Sequence, residues 1–148
     1  VAGGELRVQL ALIDSDGNRF ATPDTTGATL TGGPGRMTNT PNTTQLIDTQ
    51  WTKALGESHF LTVGGSLRRD RAHVFDLSMP DWRNVDVTRG PFLAESRGGA
   101  LTTGLFAQDQ WRLAEGLTAH LGLRWDRWRA TDGYAQDLNP TTLVPRPG

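Results

Sequence analysis

Cysteine is absent from the 148 residues, which excludes a disulfide scaffold and any thiolate metal site. Lysine occurs once, at Lys53; the other basic residues are arginine, a bias that reads as genomic base composition rather than chemistry. No run approaches the ~20 apolar residues of a membrane helix. The opening residues, VAGGELRVQL, lack the charged segment and apolar run of a signal peptide. Neither sign of charge is in excess: 15 Lys and Arg against 16 Asp and Glu leave a net charge of −1, so no general field draws the chain to nucleic acid. Apolar residues are scarce too, at 36%, which is little material for a water-excluding core. Half-apolar strands separated by polar loops give such a composition, and barrel strands carry a weak hydropathy signal per segment.

What is present is an alternation, written twice. Residues 61–71 (LTVGGSLRRDR) and 117–127 (LTAHLGLRWDR) share Leu, Thr, Leu, Arg, Asp and Arg at matching places, and each copy follows a Gln-Trp pair (Gln50-Trp51, Gln110-Trp111) and a short turn. Apolar residues at every second position over this length predict neighbouring strands of one sheet. In the second copy Leu117, Ala119, Leu121, Leu123 and Trp125 share one side, with Thr118, His120, Gly122, Arg124 and Asp126 opposite. In the first, Leu61, Val63, Gly65 and Leu67 oppose Thr62, Gly64, Ser66, Arg68 and Asp70.

Residues 5–13 (ELRVQLALI) alternate in the same way and end at DSDGN, whose Asp-Gly suits a tight turn. A brief return is expected over 19–22. Residues 43–53 read as a strand, 55–58 as its turn, and 59–70 as the strand back. Residues 100–113 descend, 114–116 turn, and 117–129 climb. Leu105, Ala107 and Trp111 share parity with Asp109, so the phase of that descending strand stays open. Residues 23–42, 72–99 and 130–148, crowded with Thr, Gly and Pro, predict long loops. Such loops are uncommon in compact soluble domains. Long loops at one end, short turns at the other and strands near the ~9–11 residues that cross a bilayer are features of outer-membrane barrels. Trp51, Trp111, Trp125 and Trp128 stand at strand ends, where an aromatic girdle meets the interface. The fold class expected is all-β: antiparallel up-and-down hairpins forming part of a large transmembrane β-barrel, with long loops at one end and about five or six strands over residues 1–148.

Residues 104–128, GLFAQDQWRLAEGLTAHLGLRWDRW, resemble the barrel hairpins of TonB-dependent outer-membrane receptors. The descending pattern falls on Phe106, Gln108, Asp109, Trp111 and Leu113, and the ascending one on Leu117, Thr118, Gly122, Leu123, Arg124, Trp125 and Asp126. Residues 59–71 are a looser second instance. The resemblance implies a segment of a barrel of about 22 strands, without plug domain, TonB-contacting box or terminal aromatic strand, and so a fragment of a larger chain. It further implies residence in the bacterial outer membrane and active uptake of a scarce solute. The implied partners are outer-membrane lipid, the rest of the barrel and its plug, the TonB complex acting through that plug, and a small solute or siderophore-like ligand. No cofactor and no nucleic acid are implied.

Thr62, Arg68, Asp70, His120, Arg124 and Asp126 are the residues expected to face an aqueous lumen. Their Arg/Asp pairs read either as a charged ladder along a solute path or as an ion-pair network stabilising the wall, and the second is favoured. His120 lacks a partner at metal-ligand spacing, so no metal site is read there. Trp82, Arg83, Arg89 and Phe92 are the loop residues placed to touch substrate, since loops carry recognition. DSDGN lacks the acidic positions of a calcium loop, the glycine clusters lack a following Lys-Ser/Thr, Asn42-Thr43-Thr44 matches the glycosylation triplet, a frequent accident, and nothing isolates a nucleophilic serine; no enzyme is read. Two other readings remain open: a complete small outer-membrane barrel of about eight strands with a structural or adhesive role, and a soluble β-sandwich that binds carbohydrate through exposed Trp.

Overall fold

A computed structural model describes residues 3–86, 90–138 and 145–147. Eight strands follow in order: β1 (Glu5–Ser15), β2 (Arg19–Pro23), β3 (Gly35–Asn39), β4 (Asn42–Leu55), β5 (His59–Met79), β6 (Phe92–Ala114), β7 (Leu117–Leu138) and β8 (Pro145–Pro147). Among the described residues there is no helix. The hydrogen-bonded order is β1-β4-β5-β6-β7-β8, with β3 pairing both β2 and β5. The joins from β4 to β5 and from β6 to β7 are tight turns, and each places a glycine at positive φ, Gly56 at 67° and Gly116 at 77°. A side chain at either position would be strained.

The chain divides into two compact units. The first comprises Val1–Ile13, Thr44–Asp70 and Ala100–Arg129. Its apolar residues are not gathered inside it. Leu6, Leu10 and Leu12 on β1 and Leu117, Leu121 and Leu123 on β7 are all more than half exposed, with Leu123 at 79%. Arg112 donates its backbone N–H to the Ser58 carbonyl at 2.7 Å, which ties β6 to the turn before β5. The phase of β6 is settled here: Leu105, Trp111 and Leu113 are exposed and Phe106 is half-buried.

The second unit comprises Asp14–Thr43, Arg71–Gly99 and Ala130–Gly148. Within it β3 pairs antiparallel with β2 (Arg19 opposite Asn39, Pro23 opposite Gly35) and with β5 (Gly35 opposite Met79, Asn39 opposite Phe75). Pro41 has no N–H to give, yet its carbonyl accepts from His73 N–H at 3.0 Å, so the pairing with β5 continues past it. Met37 and Met79, 2% and 3% exposed, are the buried hydrophobic side chains among the described residues. Asn39 is buried beside them.

Four expectations need correction. Residues 23–42 are not all loop, because they contain β3. Residues 72–99 are not one irregular stretch: β5 runs on to Met79 and β6 begins at Phe92. β7 continues through Leu138, where a loop was expected from residue 130. Among the described residues eight strands stand where five or six were expected; β2 is the brief return expected over 19–22, and the added ones, β3 and β8, are short. Around the short alternations of Met37 and Asn39 and of Phe75, Leu77 and Met79 the sequence is crowded with Gly, Pro, Thr and charged residues, and over 130–138 no apolar stripe is present, so loop signals outweigh strand signals. These segments are held by backbone pairing and polar cross-strand contacts. Arg36 Nη1 and Thr38 Oγ1 both donate to Asp76, at 3.3 and 2.6 Å. His73 Nε2 lies 2.9 Å from Glu95 Oε1, and Gln136 Nε2 donates to the other Glu95 oxygen at 3.4 Å.

Candidate functional site: a two-faced sheet

Successive strand residues point to opposite sides, so each strand of the first unit presents two chemistries. On β7 the side bearing Leu117, Ala119, Leu121, Leu123 and Trp125 is continuous hydrocarbon. Exposure on this side is high, and among the described residues of this unit no covering layer lies over it. On β1, Leu6, Val8, Leu10 and Leu12 do the same. Burial of side chains such as these is worth about 1.5–3 kcal/mol each, which is forgone here unless something other than water meets them.

The opposite side carries ion pairs built within single strands. Residues two apart stand side by side on one face, within reach of an arginine laid along the strand. Arg68 Nε donates to both Asp70 oxygens, at 3.0 and 2.9 Å. Arg124 repeats the contact with Asp126 at 3.1 and 2.8 Å and adds Nη2 at 2.8 Å. Thr44 Oγ1 donates to Asp70 at 2.7 Å, linking β4 into the row. Gly104 on β6 is buried against the second pair. A Cβ there would stand 2.8 Å from Arg124 Nη2, 2.8 Å from Asp126 Oδ1 and 2.9 Å from Ser66 Oγ. Both arginines are 56% exposed, so each pair contributes little to stability. What the row supplies is a wettable, charge-balanced surface with fixed geometry.

Thr62 lies half-buried on β5 with the parity of Arg68 and Asp70, and His120 lies exposed on β7 with the parity of Arg124 and Asp126. All six residues expected on the polar side belong to the first unit. The described loop candidates, Trp82, Arg83 and Phe92, belong to the second. Trp82 is half-buried rather than free: its Nε1 donates to the Thr29 carbonyl at 3.2 Å and its backbone N–H to Gly33 at 3.0 Å. Arg83 stacks over the Trp82 ring, 5.2 Å from its centroid. Phe92 is not a loop residue but the first residue of β6; the polar, Pro-flanked sequence before it gave no strand signal. Arg89 lies outside the described residues.

Pattern reading missed the pair at the short-turn end. His59 Nδ1 lies 2.7 Å from Asp109 Oδ2, and the imidazole stacks on Trp111 with centroids 5.4 Å apart and planes 18° from parallel. These three share the side of Leu61, Leu105 and Leu113. Asp109 is the residue that made the phase of β6 ambiguous, and its imidazole partner across the strand gap is what lets a carboxylate stand on the apolar side. The signal was available: an acid breaking an apolar stripe calls for a base at the facing position of the next strand.

The family model described as "TonB dependent receptor-like, beta-barrel" matches residues 5–146. Searches among curated proteins and among solved structures returned no match. The match spans nearly the whole chain and agrees with an all-β antiparallel sheet that is apolar on one side and ionic on the other. The chain belongs to the TonB-dependent receptor β-barrel family.

Proposed function

We propose that this chain is a segment of the barrel wall of an outer-membrane receptor that takes up a scarce solute using energy relayed by the TonB complex. The family is one of transporters of the bacterial outer membrane, not of enzymes. The carrying observation is the exposure of the apolar side of the first unit, from Leu6 to Leu12 on β1 and from Leu117 to Trp125 on β7. Strands of a soluble sandwich bury that side against a second sheet; here lipid is the solvent that makes the exposure favourable.

The apolar stripe on β7 spans nine positions, close to the ~9–11 residues that cross a bilayer at barrel tilt. It is followed on the same side by Arg127 and Arg129. β7 itself is 22 residues long, more than a bilayer crossing requires. On this reading Thr62, Arg68, Asp70, His120, Arg124 and Asp126 line an aqueous lumen. Trp82, Arg83, Arg89 and Phe92 belong to the extracellular end and contribute to solute contact. The rest of the barrel, a plug and the TonB complex complete the machine.

Comparative uptake tests the proposal. A strain lacking this protein should leave in the medium a solute that the parent strain depletes, and a protonophore or loss of TonB should abolish that depletion in the parent. Equal depletion by all strains contradicts an energised transport role.

A further inference from the structure

We infer that Arg69 on β5 and Arg127 and Arg129 on β7 form a row that binds the phosphate groups of anionic membrane lipids. The inference rests on the apolar side of the first unit being lipid-facing, and it goes beyond that reading by naming what meets the edge of the apolar stripe.

All three arginines lie in the first unit and on its apolar side. Period-two alternation places Arg69 after Leu61, Val63, Gly65 and Leu67 on β5, and Arg127 and Arg129 after Leu121, Leu123 and Trp125 on β7. The strand between them, β6, carries Ala, Leu, Thr, Thr, Gly and Leu from Ala100 to Leu105, with no charged side chain. Each arginine is exposed, and none has a hydrogen bond or ion pair among the described residues. On the other side of the same strands, Arg68 and Arg124 each hold a carboxylate. The stripe therefore ends in guanidinium groups with no counter-ion among the described residues.

Continuity with the hydrocarbon selects a lipid over a soluble anion. A ligand that reaches Arg69 or Arg127 also lies over Leu67, Leu123 and Trp125, which are 41%, 79% and 52% exposed. An acyl chain below and an oxyanion above satisfy both at once, whereas a free anion gains only the charges. The planar guanidinium fork matches phosphate oxygens in pairs, and arginines at the edge of a membrane's hydrocarbon extend their heads to the headgroup layer. Neighbouring strands are ~4.8 Å apart, so side chains on β5 and β7 stand about 10 Å apart, and Arg127 and Arg129 about 7 Å apart along their strand. That spacing suits either one headgroup with more than one phosphate or two lipids side by side.

The test is retention of phosphatidic acid by the intact protein in phosphatidylcholine bicelles, counted by native mass spectrometry, with phosphatidylcholine alone as the reference. The wild type is expected to retain phosphatidic acid selectively. The triple variant R69Q/R127Q/R129Q should lose roughly a hundredfold in that preference, since each cation near a membrane surface contributes about one kcal/mol. The charge-conserving R69K/R127K/R129K should keep most of it, which separates loss of binding from loss of fold. R19Q, which removes one charge on β2, should change nothing. Equal retention by wild type and the glutamine variant overturns the inference, as does an equal loss in R19Q. Insertion without any phosphatidic acid preference defeats the inference but leaves the barrel reading intact; failure to insert defeats both.

Discussion

The Asp109 carboxylate lies 2.7 Å from His59 Nδ1 on the side of the sheet that otherwise carries leucine and tryptophan. Its second oxygen, Oδ1, is buried and has no partner among the described residues. The imidazole is therefore the one group shown to offset a carboxylate on an apolar surface. Replacing His59 by Leu should lower stability by about 1–3 kcal/mol by stranding that charge. The double variant H59L/D109L should recover most of the loss, because an apolar pair suits this side. Urea unfolding of the protein in lipid or detergent reads both, and a double variant no better than H59L alone would contradict the assignment of the pair.

Gly104 makes room for the Arg124–Asp126 pair. Gly104→Ala places a methyl group 2.8 Å from each partner, and overpacking of this kind costs about 1–3 kcal/mol. Since Arg124 is a half-exposed, flexible side chain, combining G104A with R124A should relieve most of the effect. Thermal unfolding followed by the change in gel mobility distinguishes the single from the double variant.

The two sides of β7 should respond to charge in opposite ways. Leu123→Arg puts a cation on the side proposed to face lipid and should cost about 2–4 kcal/mol if that position lies near mid-membrane. His120→Arg, three residues away on the polar side, should change stability by less than about 0.5 kcal/mol. Equal effects of the two substitutions in a folding titration would remove the distinction between the sides.

Met37 and Met79 bury the apolar material of the second unit. Met37→Ala should cost about 2–5 kcal/mol locally, and its effect should appear as faster amide exchange over Gly35–Asn39 and the facing residues of β5. Exchange in β7 from Leu117 to Trp125 should stay unchanged, since that segment belongs to the other unit.

How much of this was legible depended on where water is replaced. The hairpins of the first unit could be read because one side is hydrocarbon: Leu117 through Trp125 leave a period-two trace that no loop imitates. The strand that resisted assignment, β6, did so because Asp109 breaks its stripe; the exposure of Leu105, Trp111 and Leu113 resolves the phase, and the facing His59 accounts for the acid. The second-unit parts of β6 and β7 left little trace, since polar, glycine and charged residues interrupt any apolar stripe there, and in β5 the short alternation of Phe75, Leu77 and Met79 was outweighed by the loop-like residues that follow. β3 was hidden because its Thr- and Gly-rich surroundings read as loop, although Met37 marked one of its three buried positions, with Gly35 and Asn39. The polar-side residues were legible through the repeat that Arg68/Asp70 and Arg124/Asp126 share. Gly104, the seat of the second pair, was not, because a missing side chain signals nothing until its neighbours are placed.

The central claim is that the apolar side of the first unit meets lipid while the polar side meets water. Because the chain has no cysteine, single cysteines at positions 117 to 126 can carry nitroxide labels one at a time in bilayers, with accessibility read against oxygen and against a water-soluble nickel chelate. Labels at Leu117, Leu121 and Leu123 should be relaxed by oxygen, and labels at Thr118, His120 and Arg124 by the nickel chelate, alternating with period two. Protection of Leu121 and Leu123 from both reagents, as beneath a covering layer of protein, would contradict the account.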